Sequence, residues 1–485
     1  MRMNAVTQNR MREIERGVRA KSLGTLRVTC FAIATLGIHF VASAQQAPPP
    51  AAVSPELQAK LSKAYDRVQL ISSKAARVSD IDQLRNLQAV YGYYVDKAMW
   101  DEVTDLFTDS GTMELGLNGV YVGKSSIRKY LYSLTGGKPG LREKEINNHF
   151  QLSPVITLAS DGTSAKARWR AIIQGGVFGK GSGGDWGDGI YENEYVKEGG
   201  VWKIRALHFY VKFYAPYEGG WTKAPQGSAL RYGKSGVRPN KPTSVKYQPY
   251  PARFAPPFHY ENPVKTSYVF NATTADPTIK ASPPKTVADL EAQVRALELQ
   301  VDRLQSAVDV ENLNSSYGYY VDKSMQDAIS ALFAEDSTLE ILGRGVFIGR
   351  DRVYEYMRRL GAPQAGSLFN HMQLQPIVTI SSDGTTAQMR TRLFVMFGAT
   401  GRAAQWGEGI YENAFVRENG VWKYKNLHGY QTYYTNYDAG WAKFSAGMFD
   451  PFPGYPPDMP QSVDYQPYPA LFTPPFHYRH PVTGR

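Results

Sequence analysis

Two kinds of side chain suited to proton transfer occur in this chain, and each occurs twice in the same setting. Asp96 lies in the run YGYYVDK at 91–97, and Asp322 lies in the same seven residues at 317–323. His149 lies in NHFQLSP and His371 in NHMQLQP. The run around Asp96 reads as helix, with Tyr93, Tyr94, Val95 and Met99 making an apolar neighbourhood. Tyr93 and Trp100, three before and four after, share its face. A carboxylate there is costly without a partner. It either orients a histidine and exchanges protons with it, or it is a structural carboxylate that holds a strand backbone. An imidazole is the side chain best poised to move a proton near neutral pH. Strand alternation puts His149, Gln151 and Ser153 on one face, and His371, Gln373 and Gln375 on the equivalent face. Such a polar stripe is expected to line a cavity.

Other residues join this constellation as candidates. Tyr191 and Tyr411, both in GIYEN, are placed to donate to a developing oxyanion, or simply to pack within a sheet. His208 and His428 close a strand and are candidate second histidines. Trp186 and Trp406 are candidate aromatic walls. Tyr93, Trp100 and Gln174 are further wall candidates in the first half, and Tyr319 and Met396 in the second. Gln326 stands where the first half has Trp100, so the two pockets are expected to differ. Gly92 and Gly318 sit mid-helix, where glycine costs about 1 kcal/mol against alanine, so a close approach by a strand or ligand is expected there. An Asp–His pair gives too few ligands per copy for a metal site. The chain has no phosphate-binding glycine loop, dinucleotide fingerprint, G-x-S-x-G elbow or H-E-x-x-H. The expected chemistry is cofactor-free.

The elements that must hold these residues also come in pairs. GIYENEYVKEGGVWKI at 189–204 matches GIYENAFVRENGVWKY at 409–424, and the tails YQPYPARFAPPFHY and YQPYPALFTPPFHY match as well. This is a tandem domain duplication, not a short-period solenoid. Each copy opens with a helix. In the second, Val287, Leu290, Val294, Leu297, Val301, Leu304 and Val308 form a heptad stripe; Leu57, Leu61, Val68 and Ile71 echo it in the first. These helices either dock on their own domains or pair with each other, or build a homo-oligomer. Long strands follow, with turns at Asp161–Gly162 and Gly199–Gly200. Helices first and a sheet after gives an α+β class. The expected organisation is a signal over 1–44, linker and helix over 45–83, domain 1 with its tail over 84–272, linker and heptad helix over 273–309, and domain 2 with its tail over 310–485. The proline-rich tails are expected to wrap their own domain or its neighbour.

Composition narrows the function classes. The formal charge is +11, but seven Lys/Arg against two acidic residues fall within 1–44, and no basic cluster follows, so a nucleic-acid partner is not expected. The basic start, the apolar run VTCFAIATLGIHFVA and the small residues at Ala42–Ala44 have the order of a secretory signal, too short to span a bilayer comfortably. Cleavage after Ala44 would remove Cys30, the only cysteine, and send a disulfide-free chain to the periplasm. A start at Met11 and an uncleaved anchor are the alternatives. Aromatics reach 13%, with 32 Tyr, which suits a pocket for a small hydrophobic or aromatic molecule and suits sheet packing equally.

The order of elements, with Asp, Trp and Leu-Phe at the first helices and GVWKI on a late strand, resembles the nuclear transport factor 2-like superfamily. Within it the chain is most similar to the SnoaL-like branch that contains scytalone dehydratase, over 84–214 and again over 310–434. The resemblance implies two cones, each a curved antiparallel sheet wrapped on helices with a pocket at the wide end. It places Asp96 and Trp100 on the dehydratase's aspartate and tryptophan, and His149 on its catalytic histidine. The chain departs from the pattern at Val95, where the dehydratase has tyrosine, and at Gln174 and Met396, where it has a second histidine. It also departs at Gly189 and Tyr191, where the dehydratase has serine and asparagine. The resemblance implies a cofactor-independent lyase, dehydratase or isomerase acting on a small aromatic or polycyclic compound. A non-catalytic binding protein for hydrophobic molecules and an oligomerising structural module are the competing expectations.

Overall fold

The heptad stripe and the YGYYVDK run turn out to share one long helix in each half. A computed structural model of the chain describes residues 54–179, 181, 183–224, 236–262, 283–362 and 364–485. The segment read as a signal, 1–44, and the start of the linker, 273–282, lie outside the described residues. In the first repeat, α1 (Pro55–Asp96) is followed by α2 (Trp100–Asp105), β1 (Phe107–Leu115), β2 (Val120–Val122), α3 (Lys124–Leu134), β3 (Glu145–Leu158), β4 (Ser164–Val177), β5 (Gly184–Glu198) and β6 (Val201–Pro216). The second repeat has the same order: α4 (Val287–Asp322), α5 (Gln326–Ala331), β7 (Phe333–Ile341), β8 (Val346–Ile348), α6 (Arg350–Arg359), β9 (Ser367–Ile380), β10 (Thr386–Ala399), β11 (Ala403–Glu418) and β12 (Val421–Asn436). Among the described residues no helix is long and apolar enough to cross a membrane.

Thr286 starts α4 with a capping box: its hydroxyl accepts from the Asp289 amide, and the Asp289 carboxylate accepts from the Thr286 amide. The early turns of α1 and α4 pack on each other through Val68, Ala75 and Leu297, flanked by Leu290, Val294 and Leu304. The heptad stripes therefore meet within one chain. Leu57, Ile71, Val301 and Val308 stay exposed.

Each repeat forms a six-stranded sheet, β2-β1-β6-β5-β4-β3 and β8-β7-β12-β11-β10-β9. Neighbours are antiparallel where a hairpin joins them. β1 runs parallel to β6, and β7 to β12, so each sheet is mixed. Those pairs are distant in sequence, and no turn motif announces their direction. Ser153 and Gln375, with φ of +51° and +56°, sit at register shifts that bend β3 and β9 over the helices. The bend brings strand onto helix. A Cβ on Gly92 would meet Gln375 Nε2 at 2.7 Å and the His149 carbonyl oxygen at 3.0 Å, and one on Gly318 would meet the His371 carbonyl oxygen at 2.5 Å. The close approach expected at these glycines is made by strands.

The tails buckle onto the outer sheet faces. His259 bridges Thr157 Oγ1 (3.3 Å) and Glu192 (2.8 Å), and Glu192 pairs with Arg168. His477, Thr379, Glu412 and Arg390 repeat the arrangement. The second tail then crosses to the first repeat, where Phe476 and His480 pack on Tyr94.

Candidate active site

Asp96 closes α1 beneath the start of β3. Its Oδ1 accepts the His149 backbone N–H at 2.5 Å. Its Oδ2 pairs with Arg392 of the second repeat, and Arg392 Nη1 donates to Glu408 Oε1 at 2.6 Å. All three side chains are at most 3% exposed. Burial pushes the Asp96 carboxyl up, while the guanidinium and the His149 amide pull it back. Burial opposes the Arg392 charge, but Asp96 and Glu408 outweigh it and keep the guanidinium protonated. Asp96 thus holds the strand that carries His149, as the structural alternative expected, and ties that strand to the neighbouring repeat. Beside it, burial lowers the Lys97 ammonium below its ordinary value.

The wide end of repeat 1 encloses a cavity of about 250 Å³. His149, Tyr191, Tyr91 and Trp100 line it, with Asn118, Thr135 and Asn147 supplying amide and hydroxyl groups. Trp100 Nε1 donates to Thr135 Oγ1 at 2.8 Å, which fixes the indole against α3. Tyr191 stands edge-on to Tyr91, with ring centroids 5.8 Å apart, and tilts over Phe209 at 4.4 Å. At the mouth Arg142 pairs with Glu145 at 2.9 Å. One imidazole, tyrosine hydroxyls and fixed amides in an apolar, aromatic-walled space can hold a ring and move a proton on it.

Several expected members of the site lie elsewhere. Asp96 does not line this cavity; it borders a separate groove of about 180 Å³ with Lys97 and the second tail. Of the polar stripe on β3, His149 lines the cavity and Gln151 and Ser153 do not. Gln151 accepts from Gln88 Nε2 at 2.8 Å inside a buried network with Asn193 and Tyr195, and Ser153 is exposed. Gln373 pairs likewise with Asn314 at 3.3 Å. Helix α1 also offers amides to β3, so these polar groups satisfy one another. His208 and His428 point out of the cones because Leu207 and Phe209, and Leu427 and Gly429, take the inward positions. They stack on Tyr210 and Tyr430 under the tails, 3.6 Å from Glu114 and Glu340. Burial pushes His208 down to about 4 and lowers His428 as well. Gln174 is fully buried against Asn148, at 3.3 Å. Its counterpart Met396 pairs with Asn370 and Trp406 across the sheet. Trp186 and Trp406 meet each other between the repeats, 6.2 Å apart. The Tyr93 hydroxyl donates to the Gln375 carbonyl at 2.7 Å, while Tyr319 is 72% exposed.

The second repeat keeps the pair but not the surroundings. Asp322 Oδ1 accepts the His371 N–H at 2.6 Å and lies 3.8 Å from its Nδ1. The tyrosine pair recurs as Tyr317 and Tyr411, 6.4 Å apart, with burial raising both hydroxyls well above the ordinary phenol range. The wide end is packed differently: Phe449 stands edge-on to Tyr434 at 5.4 Å, Phe369 leans on His371 at 4.5 Å, and Arg344 lies over Phe449 and Phe452. Gly429 stands where repeat 1 has Phe209, and Arg344 where it has Asn118.

Arg392, Glu408, Asn118, Asn147 and Thr135 were not anticipated. The one available signal was an arginine inside the apolar strand RTRLFVMFG, which demands a buried carboxylate somewhere. Residues 76–208 and 302–428 match the SnoaL-like domain, just over half of the chain. The chain belongs to the SnoaL-like family, as a tandem of two such domains. Among solved structures, it is similar to a protein from Novosphingobium aromaticivorans DSM 12444 provisionally named a scytalone dehydratase (20% identity, 31% of this chain and 95% of that one, TM-score 0.27). It is also similar to the hexachlorocyclohexane dehydrochlorinase LinA-type3 from Novosphingobium barchaimii LL02 (19%, 30% and 98%, 0.26). A third is ActVI-ORFA from Streptomyces coelicolor (13%, 26% and 95%, 0.24).

Proposed function

We propose that repeat 1 is a cofactor-independent lyase or isomerase site for a small aromatic or hydroaromatic molecule. The observation that carries this is the cavity of about 250 Å³ that His149 and Tyr191 both line, between aromatic walls. His149 takes a proton from carbon and returns it to the leaving oxygen or to a neighbouring carbon. Tyr191 donates to the oxyanion that develops. Asp96 acts through the backbone: it fixes the height of His149, and Arg392 fixes Asp96. The volume fits a molecule of one or two rings, at the small end of ligand pockets. Repeat 2, with phenylalanines over its wide end, serves as the partner that supplies Arg392. The proposal extends to location: the order of residues in 1–44 would export the chain and leave Gln45 as its first residue, which N-terminal sequencing of the mature protein checks.

The test works without a named substrate. Ligands recovered from native protein, and a set of hydroxylated tetralones and naphthols, are incubated in D2O and followed by mass spectrometry. The wild type should wash deuterium into, or release water from, at least one of them. His149→Ala should bind the same compound and do neither. Equal exchange by both proteins would leave a binding protein, not an enzyme.

A further inference from the structure

Some counterparts meet each other across the contact between the repeats: Trp186 with Trp406, Tyr217 with Tyr437 and Arg85 with Glu311. Elsewhere β9 and β10 of repeat 2 and the turn after β12 sit on the end of α1, on β3 and on the end of β4 in repeat 1. Arg392 reaches Asp96, Trp441 Nε1 donates to the Gly175 carbonyl at 2.8 Å, and Gln375 Nε2 donates to the Ala89 carbonyl at 3.0 Å. Among the described residues the corresponding groups of the other repeat make no reciprocal contact. For these groups the contact is head-to-tail and leaves one copy of each unused, unlike a two-fold contact.

The unused surfaces carry the same residue types. Tyr93 is 1% exposed, and its counterpart Tyr319 is 72% exposed. Ile146 is 3% exposed against 51% for Leu368, and Trp441 is 0% exposed against 56% for Trp221. Arg392 is 1% exposed, whereas Arg170 is 46% exposed. Arg170 and Lys212 share one carboxylate, Asp188, at 3.4 and 3.1 Å, so that side has a surplus cation. Asp322 has one oxygen on the His371 amide and, among the described residues, no arginine or lysine within 4.0 Å.

We propose that a second copy of this chain docks head-to-tail, setting its Tyr319–Asp322–Leu368 surface on the Arg170–Trp221 surface of the first. The contact continues the internal one: Arg170 of one copy gives Asp322 of the other the guanidinium that Arg392 gives Asp96. It completes the second Asp–His pair, which has no such cation among the described residues of a lone chain. The tryptophan socket is not copied, because Gly175 and Gly184 become Phe397 and Ala404, so Trp221 lies over this surface instead of entering it. The association is therefore weaker than the internal contact and reversible. It does not depend on the proposed activity.

Sedimentation velocity of the full mature chain, from low to high micromolar, tests it. The wild type should self-associate with rising concentration. Arg170→Glu and Asp322→Arg should each weaken association by at least about tenfold, and the double variant should recover it. Tyr319→Glu, at an exposed position that cannot act through unfolding, should weaken it similarly. A monomer at every concentration overturns the proposal, whether or not it captures another protein. So does association that neither Arg170→Glu nor Tyr319→Glu reduces.

Discussion

The wide ends of the two repeats share a heptapeptide, an Asp–His pair and a tyrosine pair, yet among the described residues one is hollow and the other is covered. In repeat 1 a tryptophan fixed by Thr135 and an open mouth leave room beside His149. In repeat 2 Phe449, Phe452 and Arg344 lie across the corresponding end. The difference extends to the carboxylates, since Asp96 is tied to an arginine from the other repeat and, among the described residues, Asp322 is not. Identical local sequence thus takes on different roles once the neighbour differs. In the proposed function one repeat presents the chemistry, and the other supplies the buried cation Arg392 that holds it.

The largest effect should separate the two histidines: His149→Ala should lower turnover by about 10²–10⁴-fold, and His371→Ala should hardly change it. Next comes the buried triad. Arg392→Met leaves Asp96 and Glu408 without a counter-ion and should cost about 3–5 kcal/mol in urea unfolding. The exposed counterpart Arg170→Met should cost no more than about 1 kcal/mol at a concentration where the chain is monomeric. If the two costs were similar, the asymmetry of the carboxylates would be wrong. Gly92→Ala would push a methyl into Gln375, Gln151 and the His149 carbonyl, for a loss of about 1–3 kcal/mol and slower turnover through the displaced strand.

The smallest effect concerns pH. His208 has a folded pKa of about 4, below its unfolded value, so the unfolded chain binds the proton first as pH falls. Stability from its burial is present above about 6.5 and is lost as pH drops toward 4, by roughly 1–2 kcal/mol. Thermal melts of His208→Gln should show a shallower decline over that window than the wild type.

Much of the fold was readable because repetition and hairpin turns are local signals. The Asp161–Gly162 and Gly199–Gly200 turns fixed which strands would be antiparallel neighbours. The parallel β1–β6 pair joins segments with no turn between them, and no local residue encodes its direction. His149, Tyr191 and Trp100, singled out from their types and positions, line one cavity. The partner of Asp96 was not legible, since Arg392 lies 296 residues away and belongs to the other repeat. The polar stripe on β3 misled because alternation gives the face of Gln151 but not whether a helix amide such as Gln88 awaits it. Tyr319 misled for a related reason: the same seven residues as around Tyr93 implied the same burial, but the neighbour sets the burial.

Central to this picture is His149 moving a proton inside repeat 1. The most direct measurement is deuterium incorporation into a bound ring compound by wild type, His149→Ala and His371→Ala, each with binding confirmed by calorimetry. Loss of incorporation in His149→Ala alone, with affinity kept, is the predicted result. Loss in His371→Ala instead, or incorporation undiminished in both, would contradict it.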